Sequence, residues 1–512
     1  MKRYLIGLDI GSSFIKATLF DTRGEAVASA ARDNHPLHPR PGVSEYSGPG
    51  MLEATYAALR SLREGADVDS RGVAAIGADG MISGIIGLDE AGAAATPFSN
   101  TLDMRFAGQL NGVLATMHEA IRRLCGSGQP TIGPKIMWFR DAFPDLYRRA
   151  EKFVTATGYV AGSLAGLGGE QAFIDQTHLW ATGLADVQAG AWSDELCQRM
   201  GVTLEKLPRI VPPTEVVGGL CAAAAAATGL AQGTPVIAGL ADQSAGFIGA
   251  GITRPGQMAS VAGTYPVLTL CTDVFRPDMG QALTEILGSG IGGLYQPSTF
   301  LIGGGLTHHW FGQTFAGGAG PGVYAELDEL ASHVPPGSEK LLFNPHVGGR
   351  ACPTRTNYKG AWVGFTWSHR REHFYRALLE AVAFDQVGAL RAMRRTYPEM
   401  QPTEIVLFGG GARSSLWNQI KADVLGVPHV ALARDDMSTL GAALVAGAAV
   451  GIYSDLTAAA QALPRQSTRF EPDPRRHDFY RSYAACYASL LAALDKPYDD
   501  LASLSDWTPS PA

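Results

Sequence analysis

The chain has 512 residues, 46% hydrophobic and 17% charged, with a formal net charge of −7 at pH 7. This length exceeds what one hydrophobic core usually serves, so at least two domains are expected. The acidic balance and the lack of a Lys/Arg run argue against nucleic acid and anionic membranes as partners.

Two further features of the composition indicate the compartment. No apolar run approaches the length of about 18 residues that a membrane helix needs. Asp9 interrupts the short apolar segment near the start, so no signal peptide is expected. Six scattered cysteines without a Cys-x-x-Cys pair favour a reducing compartment, and a cytoplasmic location is expected.

The chain begins with a predicted antiparallel meander whose first turn is polar. Strands are predicted over Tyr4–Leu8, Phe14–Asp21 and around Ala26–Ala30, because apolar runs alternate with turn signals. The first turn carries a carboxylate, a glycine and two hydroxyls: Asp9, Gly11, Ser12 and Ser13. Such a turn can hold phosphate, and Asp9 could hold Mg²⁺, which prefers oxygen ligands. An ordinary polar hairpin explains the same residues equally well.

A second strand-turn-strand unit is a candidate sugar-binding segment. Its turn spans Gly80–Gly84, and Asp103 and Arg105 precede a predicted helix that runs to about Leu124. If the turn and Asp103 face one crevice, they suit hydroxyl recognition, because a carboxylate accepts hydrogen bonds from a neutral polyol. Taken separately, each feature is explained as a turn or a helix cap.

The segment GTPVIAGLADQSAGFIGAG places a carboxylate, Asp242, at the end of a short apolar run. The run Pro235–Leu240 predicts a buried strand, and the small residues after Asp242 predict a helix. A strand that ends in Asp before such a helix presents the charge in an open crevice, which suits catalysis. A helix N-cap is the commonest role of Asp in this position.

The second half of the chain repeats the pattern of the first. Gln257–Val261 and Pro266–Cys271 are predicted strands around a small turn, and Ile405–Phe408 is a predicted buried strand followed by three glycines. A helix then follows and ends at Gly426. This internal duplication predicts two domains that face each other across a cleft.

These ordered motifs resemble the FGGY family of carbohydrate kinases, in the xylulokinase-like branch, from about Tyr4 to Gly451. LIGLDIGSSFIKATLFD and ASVAGTYPV look like the family's two phosphate motifs, and the Asp242 segment looks like the one that holds its general base. LFGGGARSSLWNQIKADVLG looks like the adenosine-side motif. The resemblance assigns cofactor contacts to Gly11, Ser12, Ser13, Lys16, Gly263, Thr264, Gly305, Gly410, Gly411 and Ser414.

The resemblance implies an α/β fold of two actin-like ATPase (ribonuclease H-like) domains facing a central cleft. It implies ATP and Mg²⁺ as cofactors, with Asp9 toward the metal and Asp242 as the base that activates a sugar hydroxyl. We expect an N-terminal domain over 1–241, a C-terminal domain over 242–460, and a final helix and tail over 461–512. The partner is a small sugar or polyol, and a homodimer is compatible with the family.

The expected substrate-binding residues depart from the family pattern. They are Met81, Ile82, Ser83, Asp103, Arg105, Asp242 and Gln243. Xylulokinases usually have His where this chain has Ser83, and glycerol kinases have two charged residues where it has Ile82 and Ser83. A neutral ketopentose such as xylulose or ribulose is the leading expectation. The alternative substrates are a tetritol, a deoxy-ketose or an aldonate. The alternative functions are those of a non-catalytic nucleotide switch or a sugar sensor.

Overall fold

The computed structural model describes residues 3–40, 42–66, 68–263 and 265–504. Within these residues the strands are β1 (Tyr4–Ile10), β2 (Phe14–Asp21), β3 (Ala26–Asp33), β4 (Glu45–Tyr46), β5 (Val73–Gly80), β6 (Gly84–Leu88), β7 (Phe98–Asn100), β8 (Lys152–Val154), β9 (Phe173–Asp175), β10 (Ala185–Asp186), β11 (Ala191–Trp192), β12 (Arg209–Val211), β13 (Val216–Gly219), β14 (Pro235–Ile237), β15 (Leu240–Ala241), β16 (Met258–Val261), β17 (Val267–Leu270), β18 (Glu285–Gly288), β19 (Tyr295–Phe300), β20 (Leu342–Asn344), β21 (Ala361–Val363), β22 (Ile405–Phe408), β23 (His429–Leu432) and β24 (Ser467–Phe470).

The helices of the same residues are α1 (Gly48–Gly65), α2 (Ala107–Cys125), α3 (Ile132–Ala142), α4 (Pro144–Arg149), α5 (Ala156–Ala165), α6 (Asp194–Met200), α7 (Ala222–Thr228), α8 (Asp242–Gly249), α9 (Gly304–Phe315), α10 (Pro321–Ser332), α11 (Arg371–Thr396), α12 (Ser415–Leu425), α13 (Met437–Ala449), α14 (Leu456–Ala462) and α15 (Pro474–Ser503). Local capping explains several of the ends. The Ser47 hydroxyl accepts from the Gly50 N–H at the start of α1, and left-handed Gly426 ends α12.

The first large sheet has the strand order β13-β14-β5-β1-β2-β3, with β15 also paired to β5. Strands β1, β2 and β3 form the predicted antiparallel meander, and β5 runs parallel to β1. β5 is buried along its whole length, because it is a central strand covered on both faces.

The second large sheet has the order β18-β19-β17-β16-β22-β23-β24. Its antiparallel pairs β16/β17 and β17/β19, followed by parallel β16/β22 and β22/β23, repeat the pairings of β1 to β3, β5 and β14. The predicted internal duplication is therefore confirmed. The predicted domain boundaries stay a prediction.

Helices α8 and α13 join the two halves through close backbone contacts. A Cβ atom on Gly441 would lie 1.9 Å from the Ala245 carbonyl oxygen, and one on Gly249 would lie 2.1 Å from the Met437 oxygen. A Cβ on Gly7 of β1 would lie 1.8 Å from the oxygen of Thr439 in α13. Glycine is required at these positions because the backbones approach too closely for any side chain.

One sequence prediction needs correction. The run Pro235–Leu240 is not one strand: β14 ends at Ile237 and β15 begins at Leu240. Gly239 breaks the run with a φ of 78°, and a Cβ there would lie 2.0 Å from the Ala78 oxygen. A short 3₁₀ helix, Gln176–Thr182, follows β9. That 3₁₀ helix matters for the site.

Candidate active site

Three carboxylates meet where β1, β5 and α8 come together. Asp9 on β1 and Asp79 on β5 are register partners in a parallel pair, and Leu240 of β15 is the register partner of Asp79 on the other side of β5. Asp242 follows β15 as the first residue of α8. Register partners in a sheet present their side chains on the same face, so the strand order gathers residues that are far apart in the sequence.

Burial and mutual repulsion perturb all three groups. Burial, with the charges of Asp9 and Asp242, raises the pKa of the Asp79 carboxyl well above its usual value. Burial and the charge of Asp9 raise the pKa of Asp242 to about 7. Burial also raises the pKa of Asp9, although Lys16 opposes it. A cluster of like charges costs stability, which makes these three carboxyl groups a candidate functional site.

Asp242 does not act as the N-cap of its helix. The N-cap is Ala241, and the Asp242 Oδ1 atom accepts a hydrogen bond of 2.7 Å from the Gln243 N–H. Gln243 lies in the first turn of the same helix, and its side-chain Oε1 atom is buried without a hydrogen-bond donor. The capping alternative is therefore wrong, and the Asp242 carboxylate is left partly exposed beside the other two.

Hydrogen bonds involving the segment 175–178, which the sequence analysis did not identify, fix the backbone next to Asp242. The Thr177 hydroxyl accepts from the Ala241 N–H (2.7 Å) and donates to Asp175. His178 Nδ1 lies 2.6 Å from Asp175 Oδ2, while its Nε2 atom is buried without a partner. Burial lowers the pKa of His178, but the charge and hydrogen bond of Asp175, together with the charge of Asp242, outweigh this effect and the net shift is upward. In the sequence, the Asp-x-x-His spacing of Asp175 and His178 is the feature that could have indicated this pair.

Hydrogen bonds to its carbonyl groups fix the first turn, between β1 and β2, while several of its side chains are exposed. The Asn34 side chain donates to the Gly11 carbonyl (2.7 Å), and the Tyr46 hydroxyl donates to the Ser12 carbonyl (2.7 Å). A Cβ on Gly11 would lie 2.9 Å from the Phe14 oxygen, so the turn requires glycine there. Ser12, Ser13 and Lys16 are exposed. Lys16 is the register partner of Asp9 across the hairpin, which explains its effect on that carboxyl.

The predicted nucleotide-side glycines meet around the end of β16. The Gly305 N–H donates to the Gly263 carbonyl (3.2 Å), and the Gly411 N–H donates to the Ala262 carbonyl (2.8 Å). A Cβ on Gly410 would meet nothing within 4 Å, so this backbone borders open space. Ser414 is the N-cap of α12, where its hydroxyl accepts from the Trp417 N–H (3.0 Å). Thr264, predicted beside Gly263, lies outside the described residues.

The predicted sugar-side turn lies beside the carboxylates. The Met81 N–H donates to the Ile10 carbonyl (3.3 Å), and Gly80 is the register partner of Ala241. The Thr101 hydroxyl donates to the Ser83 carbonyl (2.9 Å), which ties the turn to the loop before α2. Met81 and Ser83 are buried, and Ile82 is partly exposed. The structure thus brings the turn next to Asp9 and Asp242. The expectation that the turn and Asp103 face one crevice stays a prediction.

Asp103 is turned toward Arg105. Its carboxylate is 0% exposed and accepts hydrogen bonds from Ser99 Oγ (2.9 Å), Arg105 Nε (2.9 Å) and Arg105 Nη2 (2.6 Å). Arg105 Nη2 also donates to Glu45 (2.6 Å), and the guanidinium lies over the Trp138 ring. Asp103 therefore orients Arg105, and its expected contact with a sugar hydroxyl stays a prediction.

The described residues contain neither a metal-binding cluster nor a membrane-spanning helix. No group of three or more His, Cys, Asp or Glu side chains in these ranges is arranged to hold a metal ion unaided. Within the same part of the chain, no helix combines the length and apolar character needed to cross a bilayer.

Comparison with known proteins identifies the family. Models of the N-terminal and C-terminal domains of the FGGY family of carbohydrate kinases match residues 4–249 and 289–450. Autoinducer-2 kinase of Escherichia coli K12 is 26% identical, with 96% of each chain covered. The crystal structure of xylulose kinase from Rhodospirillum rubrum is 28% identical, with a TM-score of 0.86 over 97% of this chain and 100% of that one.

A ligand-bound xylulose kinase from Lactobacillus acidophilus has the same fold, with a TM-score of 0.89 at 24% identity, over 97% of this chain and 99% of that one. The chain belongs to the FGGY family and is a carbohydrate kinase with two actin-like, ribonuclease H-like domains. The fold class and family expected from the sequence are confirmed.

Proposed function

Since the chain is an FGGY carbohydrate kinase, we propose that it transfers the terminal phosphate of ATP to a hydroxyl of a neutral sugar, with Asp242 as general base. The favoured substrate is a ketopentose such as xylulose or ribulose. The observation that carries the proposal is the meeting of Asp242 with the Gly80–Gly84 turn and with Asp9. A proton acceptor (Asp242) thus lies beside both the candidate sugar-binding turn and the candidate phosphate-binding turn.

Asp242 has the properties that a general base needs. Because the pKa of Asp242 is about 7, much of this carboxyl group is ionised near neutral pH. The carboxylate is also basic enough to accept a proton from the attacking alcohol. Thr177 fixes the backbone at Ala241 through its hydroxyl, which limits the movement of the carboxylate. Phosphoryl transfer depends mainly on such positioning and on charge compensation.

The first turn and the glycine-rich turns of the second half would bind the nucleotide. Ser12 and Ser13, exposed on the first turn, would bind phosphate oxygens with the backbone amides there. Gly263 and Thr264 would do so from the second half. Gly305, Gly410, Gly411 and Ser414 would face the adenosine, in keeping with the open space beside Gly410.

The residues present also suit Mg²⁺. Asp9 offers a carboxylate beside Asp79, whose two oxygens are buried without hydrogen-bond donors. Oxygen ligands of this kind are those that Mg²⁺ prefers. When bound, the ion would offset negative charge on the phosphate being transferred.

Charge pairing favours a neutral substrate over an acidic one. An aldonate would need a cationic partner, and Arg105 is the basic residue beside the turn. Its guanidinium is already paired with Asp103 and Glu45 (2.6 Å each). Ile82 and Ser83 carry no charge. His178, with its unpartnered Nε2 atom near Asp242, is a further candidate for binding a sugar hydroxyl.

The names of similar proteins include both neutral and acidic substrates, because one structural neighbour is a gluconate kinase from Lactobacillus acidophilus; the preference for a neutral sugar therefore rests on the charge argument. Similar chains are named xylulose kinase, and the Escherichia coli relative is named autoinducer-2 kinase. The latter name makes autoinducer-2 a second candidate substrate.

The test is ADP release, measured with a coupled assay over ketopentoses, alditols, aldonates and autoinducer-2. We expect the highest kcat/KM with a neutral ketopentose, and mass spectrometry should find the phosphorylated sugar. A preference for an aldonate would contradict the charge argument. Nucleotide binding without sugar-dependent ADP release would favour the nucleotide-switch alternative.

A further inference from the structure

Asp79 is a buried carboxylate without hydrogen-bond donors. It is 0% exposed, and neither of its oxygens accepts a hydrogen bond from an N–H or hydroxyl donor; the neighbouring polar group is the Asp9 carboxyl. Other buried carboxylates in the chain do have donors: Asp103 accepts from Ser99 and Arg105, and Glu285 accepts from the Gly128 N–H (2.6 Å). Leaving an ionised carboxylate buried without donors is costly. An ionised Asp79 has no compensating donor among the described residues, and a cation from outside the chain would supply that compensation.

The sheet aims this group at the place where the phosphates of ATP are expected. Asp79 is the register partner of Asp9, and their carboxyl groups are within hydrogen-bonding reach of each other. Asp242 is close enough for its charge to act on Asp79. Two basic side chains act on these carboxyl groups: Lys16, exposed on the hairpin, acts on Asp9, and His178 acts on Asp242. Neither of them donates a hydrogen bond to Asp79.

A divalent cation compensates this arrangement best. Mg²⁺ is commonly held by one or two carboxylates, with water and substrate phosphates completing its octahedron. Two carboxylates from neighbouring strands fit that pattern. Asp242 stays outside the pair, which leaves it to act as a base.

We propose that Asp79 and Asp9 together ligate the divalent cation of the kinase reaction directly, so that the cation binds the protein even without nucleotide. This inference rests on the proposed function, because the cation would serve the same site. It adds a second protein ligand, Asp79, to the one that the sequence predicts.

The test is Mn²⁺ binding to the nucleotide-free protein, followed by electron paramagnetic resonance of the free ion. We expect the wild-type protein to bind about one Mn²⁺ per chain and Asp79→Asn to bind at least about tenfold more weakly. Asn matches the shape of Asp, and Asp79 accepts no hydrogen bond that folding would lose. Asp79→Ser provides the same comparison with a smaller side chain. Glu285→Gln, a buried carboxylate paired to Arg122, is the matched control and should bind as the wild type does.

A second readout is thermal stability with and without Mn²⁺. Added Mn²⁺ should raise the melting temperature of the wild type more than that of Asp79→Asn. Equal Mn²⁺ affinity in wild type and Asp79→Asn, or no binding to the wild type at all, would overturn the inference. Sugar-dependent ADP release by the same wild-type preparation is measured separately, so a failed cation site and a failed kinase assignment give different results.

Discussion

Replacing Asp242 by Asn should stabilise the protein at neutral pH. Burial and the charge of Asp9 raise the pKa of this carboxyl from 3.8 to about 7. Because one pKa unit corresponds to about 1.4 kcal/mol, keeping the group ionised costs the folded state up to about 4 kcal/mol. The side chain is partly exposed, so solvent screening reduces the expected cost to about 2 kcal/mol.

The sign of the pH dependence follows from proton linkage. The folded protein binds more protons than the unfolded chain between about pH 4 and about pH 7, so wild-type stability falls as the pH rises through this range. Asn does not titrate. The two proteins should therefore differ little near pH 4 and by about 2 kcal/mol above pH 7, which corresponds to roughly 2–4 °C in melting temperature for a chain of this size.

The assay is differential scanning calorimetry in chelator, without nucleotide, across this pH range. Asp103→Asn is the matched control, because its carboxylate is paired with Arg105 and Ser99 and its replacement should lower the melting temperature. Equal melting temperatures of Asp242→Asn and wild type at every pH would refute the claim that the site stores unfavourable charge.

Three further predictions concern the site and the join between the halves. The kcat/KM should fall about tenfold per pH unit below an apparent pKa near 7, because the acting form of Asp242 is the carboxylate; a flat profile between about pH 5 and about pH 8 would contradict that role. Ser83→His should shift the ratio of kcat/KM values toward xylulose by roughly tenfold, and an unchanged ratio would show that this turn does not contact the sugar. Gly441→Ala should destabilise the protein by about 1–3 kcal/mol in thermal or urea unfolding, because its Cβ would lie 1.9 Å from the Ala245 oxygen; an unchanged transition would argue against this close packing.

Much of the fold could be predicted because its signals are local. Apolar runs, glycine turns and capping residues mark β1, β2, β5, β16 and β22 in the sequence, and their repetition reveals the two similar halves. The break at Gly239 escaped prediction because it depends on a close approach to the Ala78 carbonyl of a neighbouring strand. No local pattern encodes that contact.

The site was only partly predictable for the same reason. Asp9 and Asp242 stand out because each follows a strand and precedes small residues. Asp79 gains significance only once β5 is known to pair with β1 in register. His178 and Asp175 reach Asp242 through a 3₁₀ helix in a segment with weak periodicity. The pairing of Asp103 with Arg105 shows that a carboxylate near a binding turn can orient another side chain.

The most direct measurement is the turnover number of Asp242→Asn with saturating ATP and the best neutral sugar. General-base catalysis contributes about 10²–10⁴-fold, so kcat should fall by that factor while ATP still binds with wild-type affinity by calorimetry. Wild-type turnover in this variant would contradict the assignment of Asp242 as the base that takes the proton from the sugar.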